Sequence, residues 1–255
     1  MHDEQPLTGG HASGQVTRVG DTVRKAWSPS TPNVHALMRH VRARGVDLAE
    51  PLGRDDRGRQ VVEYVPGTLA MDAGPLSHDQ LRRVGTMVRA IHDATADFTS
   101  RDAAWETAIA APGADLVCHN DLAPWNLVLG ERWVFIDWDA AAPSTRLWDL
   151  AYAAQAFTLS RVQVPPEDAG RDLRAFADGY GADRALRLLL PEAMRERAAA
   201  MRDLLAASHE QGREPWASMF ADGHGSHWSA VVDYVGTHRD VWLAALTPAP
   251  LQGDA

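Results

Sequence analysis

The stretch Cys118-His119-Asn120-Asp121-Leu122-Ala123-Pro124-Trp125-Asn126, followed after one short hairpin by Ile136-Asp137-Trp138-Asp139, decides how this chain reads. An aspartate precedes an asparagine by five residues, and apolar runs flank the pair. Leu127-Val128-Leu129 and Trp133-Val134-Phe135-Ile136 enclose a Gly130-Glu131-Arg132 turn, so two antiparallel strands bring positions 126 and 137 side by side. Three oxygen-bearing side chains then converge. Phosphoryl transfer needs such a set: one carboxylate to receive the acceptor's proton, and hard oxygen ligands to hold Mg²⁺ against nucleotide phosphates. In that reading Asp121 is the base, and Asn126 and Asp137 are the metal ligands.

Working outward, Val16 to Val19 and Thr22 to Lys25 form a hairpin around a Gly20-Asp21 turn. Ser30 or Thr31 caps a helix with Pro32 in its first turn, Val34, Leu37, Met38 and Val41 on one face, and Gly45 as its stop. A turn at Asp55 to Gly58 leads to the strand Val61 to Val65, which ends at Pro66-Gly67. The rest is mainly helical, opening on the capping-box pattern Ser77 to Gln80 and broken by Pro165-Pro166 and Pro191. These elements divide the chain into a small β-rich lobe, residues 1–66, and a larger helical lobe, residues 67–255, that carries the hairpin.

His119 to Asn126 followed by Ile136 to Asp139 resembles the paired signature of the aminoglycoside phosphotransferases and their relatives. Leu147-Trp148-Asp149-Leu150-Ala151 follows in the same order. The resemblance implies an α+β, two-lobed protein-kinase-like fold with ATP or GTP between the lobes and a small-molecule hydroxyl, possibly on an antibiotic, as acceptor. It implies Asp121 as catalytic base, Asn126 and Asp137 on Mg²⁺, and His119, Asp149 and Asp139 supporting the catalytic loop. Where the family carries Gly, this chain has Asn120, a residue tolerant of left-handed backbone. The phosphate-positioning cation falls on Arg24 or Lys25, Arg24 being favoured by strand register, while the following helix offers Val34 and His35 where an acid is expected. Glu63-Tyr64-Val65 would present main-chain groups to the adenine edge.

Gly9 to Gly14 spells a Gly-x4-Gly spacing, but Gln15-Val16 replace the Lys and Ser/Thr of a Walker A loop and a strand follows. A strand-loop-strand cover over phosphates, with Ser13 as a donor, is the reading that remains.

Composition bounds the alternatives. Of 255 residues, 25 are Lys or Arg and 34 Asp or Glu, a formal charge of −9 with no basic block, which argues against a nucleic-acid partner. Cys118 is the single cysteine, so no disulfide framework or multi-cysteine zinc site forms; with no signal-like N-terminus or long apolar run, the expectation is a cytoplasmic protein without a membrane span. His224 and His227 have no third partner for zinc, and no Gly-x-Ser-x-Gly elbow occurs. Two other functions fit the same motifs: a kinase-like binding or immunity protein that transfers no phosphate, and a metabolite kinase of the choline or homoserine type.

Overall fold

A computed structural model of the chain describes residues 4–7, 16–99 and 104–247. Strands β1 (Glu4–Pro6), β2 (Thr17–Val19), β3 (Thr22–Lys25), β4 (Pro51–Arg54) and β5 (Gln60–Glu63) form one antiparallel sheet in the order β1-β2-β3-β5-β4. Gly20 turns the chain between β2 and β3 with a φ of 60°. Between β3 and β4 runs α1 (Thr31–Ala43), which buries Val34, Leu37, Met38 and Val41, the face its periodicity marks. The glycine-rich segment and Ser13 lie outside the described residues.

Lys25 stands opposite Gln60 in the β3–β5 register, and Arg24 opposite Val61. Successive side chains on a strand point to opposite faces, so Lys25 and Arg24 part company at the sheet. That one-residue alternation decides which of them reaches the cleft.

The second region begins with β6 (Thr68–Leu69) and α2 (His78–Thr95), whose Ser77–Gln80 capping box forms on both sides. After β7 (Leu116–Cys118), strands β8 (Leu127–Leu129) and β9 (Trp133–Phe135) make the hairpin, with β6 pairing on the other edge of β8. Strand β10 (Ala142–Ser144) pairs with β7. Helices α3 (Arg146–Thr158), α4 (Pro166–Tyr180), α5 (Arg184–Gln211), α6 (Trp216–Met219), α7 (Gly225–Thr237) and α8 (Arg239–Leu246) complete the fold.

Helices α2 and α4 meet backbone to backbone. A Cβ added to Gly179 would stand 2.0 Å from the Arg82 carbonyl, and one on Gly85 would stand 2.2 Å from the Phe176 carbonyl. Pro166 starts α4, as the sequence leads one to expect, but α5 runs through Pro191 without a break. Leu190, Pro191, Ala193 and Met194 are all buried there, and that packing offsets the hydrogen bond the ring forfeits. Among the described residues, no helix is long and apolar enough to cross a membrane.

Candidate active site

Strand β7 ends at Cys118, and the next residues form the floor of a cleft of about 1410 Å³ between the sheet and the helical region. Asn120 adopts a φ of 63°, the left-handed conformation that a side chain able to hydrogen-bond locally makes accessible; its Nδ2 donates to the Ala142 carbonyl at 3.2 Å. That reversal turns Asp121 into the cleft.

Two buried groups hold the turn. His119 donates from Nε2 to the Ile136 carbonyl at 3.1 Å and accepts the Asp121 amide on Nδ1 at 3.2 Å, so one imidazole ties the 119–121 turn to the end of the hairpin. Burial pushes its pKa down, in keeping with the neutral tautomer these bonds require. Asp149, fully enclosed on α3, accepts the Asn120 amide at 2.9 Å on one oxygen and His92 Nε2 at 3.0 Å on the other. His92 in turn accepts from the Tyr180 hydroxyl at 2.9 Å. Cys118 lies within reach of His92 and Asp149, but every hydrogen-bonding atom of that pair is occupied and burial pushes the thiol up, so the trio is structural.

Asp121 accepts hydrogen bonds on both carboxylate oxygens: Tyr152 donates to Oδ1 at 2.9 Å and Asn126 Nδ2 to Oδ2 at 2.6 Å. Burial, reinforced by the charge of Asp137, pushes its pKa up to about 7 against those two bonds. Asn126 spends its nitrogen on Asp121, which leaves Oδ1 as a hard oxygen, and the Ile136 amide donates to its carbonyl at 2.8 Å, fixing the register of Asp137 beside it. Asp137 has a φ of 60°, an uncommon conformation for a residue other than glycine, which aims its carboxylate into the cleft.

The cation facing Asp137 is Lys25. Its ammonium is hydrogen-bonded to Asp137 and lies 2.6 Å from Asp139, and the two carboxylates raise its pKa although burial opposes the charge. Arg24, favoured from the sequence, points to the other face of the sheet, where it donates to Thr22 at 2.5 Å and pairs with Asp55 at 3.4 Å. Strand alternation is the reason for the difference: Lys25 shares a face with Val23, and pairing with β5 decides that this face meets the cleft.

Asp139 also departs from expectation. It pairs with Lys25 and accepts from Gln60 Nε2 at 3.0 Å, so it bonds toward the sheet rather than toward the 119–126 loop. Gln60 accepts from His35 of α1 at 3.3 Å, so where an acid on that helix was expected a neutral His35–Gln60 relay reaches Asp139 instead. Glu63 bonds Arg132 at 2.5 Å, and its amide donates to the Glu50 carbonyl; neither Glu63 nor Val65 is among the described residues lining the cleft.

Sequence reasoning missed Gln60, His92, Tyr152 and Arg197. His92 had a signal, since it continues the buried face of α2 seven residues after Gly85.

The small sheet-rich region, the mainly helical one and the cleft between them define a protein-kinase-like fold of the kind that choline kinases and antibiotic kinases share. An amicoumacin kinase solved with AMP-PNP and Ca²⁺ superposes with a TM-score of 0.67 at 15% identity, covering 90% of this chain and 88% of that one. A choline/ethanolamine kinase family protein from Mesorhizobium loti gives 0.60 at 18% identity over 96% and 92%. In sequence, residues 96–197 match the phosphotransferase enzyme family. The trifolitoxin immunity protein of Rhizobium leguminosarum bv. trifolii is 31% identical over 208 residues, 73% of this chain and 77% of that protein. The chain belongs to the phosphotransferase enzyme family.

Proposed function

We propose that this protein transfers the γ-phosphate of ATP to a hydroxyl group of a small molecule. The observation that carries the reading is the convergence in one cleft of Asp121, bonded by Asn126, with Asp137, bonded by Lys25. Asp121 orients the acceptor hydroxyl and receives its proton, His119 and Asp149 hold the turn that presents it, and Lys25 supplies a positive charge for the nucleotide phosphates. Catalysis of this kind is mostly positioning and charge neutralisation, which a rigid constellation of this sort suits.

Asn126 and Asp137 fit a magnesium ion: one amide oxygen and one carboxylate are hard ligands of the number Mg²⁺ takes from protein, and Asp137 already draws the ammonium of Lys25 as a cation. Held by Asn126 and Asp137, Mg²⁺ would supply charge neutralisation at the nucleotide phosphates. Adenine nucleotide is preferred over GTP in this reading because the amicoumacin kinase was solved with AMP-PNP. Antibiotics and choline-type metabolites are the acceptor classes that the superposed proteins suggest.

The name of the Rhizobium relative points to immunity as a role, and the second reading is a protein that confers it by holding a toxic ligand without phosphorylating it. One experiment separates the two. The purified protein is incubated with ATP and Mg²⁺ against a panel of hydroxyl-bearing antibiotics and metabolites, and products are read by mass. A product about 80 Da heavier supports transfer; tight ligand binding with no ATP consumed across the panel supports the second reading.

A further inference from the structure

Beyond Asp121, on the side of Tyr152, the cleft changes character. The Tyr152 ring stacks on Trp228 with centroids 6.3 Å apart and an interplanar angle of 16°, and Trp125 meets it edge-on at 6.4 Å. Trp216, Met201 and Met219 continue the same wall. Carboxylates other than Asp121, Asp137 and Asp139 also line the cleft, but Asp72, Glu106 and Asp222 are all exposed. The deep charge on this side is positive. Arg197, on α5 and only 5% exposed, lies with its guanidinium 4.2 Å from the Tyr152 centroid. Its Nη2 makes one long bond, 3.4 Å, to the Asn120 carbonyl, and its buried Nη1 has no hydrogen-bond partner.

A buried guanidinium nitrogen without a partner is costly, and a guanidinium is built to meet a carboxylate or carbonyl oxygen. Flat rings and thioethers take up a flat or apolar body. An ammonium group brought to this depth would meet Arg197 with no deep carboxylate to spare beyond those the transfer itself uses.

From this arrangement we infer that the acceptor is an apolar, ring-bearing hydroxyl compound whose hydroxyl is flanked by a carboxylate or carbonyl oxygen, with the ring against Trp228 and Trp125 and the oxygen on Arg197. It is not a polycationic amino-sugar. The inference rests on the reading of Asp121 as the residue that receives the acceptor hydroxyl, and it names Arg197 as the specificity-determining group of that site.

The test measures binding without nucleotide, so that its outcome does not depend on transfer. Indole-3-lactate, which has a ring, a hydroxyl and an adjacent carboxylate, is titrated calorimetrically beside tryptophanol, which carries an ammonium instead, and kanamycin. Indole-3-lactate is expected to bind at least tenfold more tightly than either. Arg197→Met is expected to remove at least tenfold of that affinity without weakening tryptophanol, Arg197→Lys to recover part of it, and Trp228→Ala to weaken both indoles. Melting curves confirm that each variant is folded. Preferential binding of tryptophanol or kanamycin, no detectable binding of indole-3-lactate at millimolar concentration, or equal indole-3-lactate binding by a folded Arg197→Met protein would overturn the inference. Should indole-3-lactate bind as expected while no ATP-dependent product forms with any acceptor, the ligand preference and the role of Arg197 in it stand, and the phosphotransferase reading, with the ligand's role as acceptor, fails.

Discussion

Asp121→Asn should make the nucleotide-free, metal-free protein more stable, and more so at high pH. The pKa of Asp121 is pushed from 3.8 up to about 7. A raised acid stabilises the fold only while the folded state holds the extra proton: its contribution is fully present below the unfolded pKa and is lost as pH rises through 7. At pH 8 the ionised carboxylate therefore costs about 3 units at about 1.4 kcal/mol each, on the order of 4 kcal/mol. Asparagine removes that cost but offers one acceptor oxygen to Tyr152 and Asn126 in place of two, giving back about 1–1.5 kcal/mol. The net gain is about 2–3 kcal/mol at pH 8, and it falls to about zero at pH 5, where the wild-type carboxyl is mostly protonated. Urea unfolding in the presence of a chelator, followed by the fluorescence of the nine tryptophans, measures both. A variant less stable than wild type at pH 8, or a gain equal at the two pH values, would refute the reasoning.

Replacing Lys25 by Met strips the ammonium from Asp137 and Asp139 and should cost about 2 kcal/mol, below the about 3–5 expected of a fully buried pair because Asp139 is 36% exposed; it should also lower kcat/KM by about a hundredfold or more. Arg24→Met, measured beside it by the same urea unfolding and steady-state assays, should cost less stability than Lys25→Met, because Asp55 keeps Arg59 as a partner at 2.9 Å, and should keep its activity. Gly179→Ala pushes a methyl onto the Arg82 carbonyl and should lower stability by about 1–3 kcal/mol, read as a drop in Tm. Trp242→Ala empties a fully buried site and should cost about 3–5 kcal/mol by urea titration while leaving the affinity of any nucleotide unchanged, since Trp242 does not line the cleft.

The scaffold was readable where periodicity and capping agree. Helix α1 follows from Pro32 and the Val34-Leu37-Met38-Val41 stripe, α2 from the Ser77–Gln80 box, and the β8–β9 hairpin from its apolar runs about a turn. Asp121, Asn126 and Asp137 were readable because their spacing needs only that one hairpin. Lys25 was harder to place, because a two-residue choice on a short strand turns on which face the sheet presents, and that depends on pairing with β5. Tyr152 was hidden for a different reason. Residues 148–156 of α3 are all buried, so no polar-against-apolar contrast singles it out. Arg197 sits in Arg195-Glu196-Arg197, a run that reads as a solvated face, yet α5 is packed so that its third member is enclosed. Gln60 joins Asp139, and His35 joins Gln60, only through tertiary packing, across 79 and 25 residues of chain.

The central claim is that the carboxylate of Asp121 serves phosphoryl transfer. Its most direct measurement is transfer from ATP to an acceptor identified in the mass screen, by wild type and Asp121→Asn side by side. The account predicts that the folded variant keeps its affinity for the acceptor and forms phosphorylated product at least about a hundredfold more slowly. Turnover by the variant at the wild-type rate would contradict it.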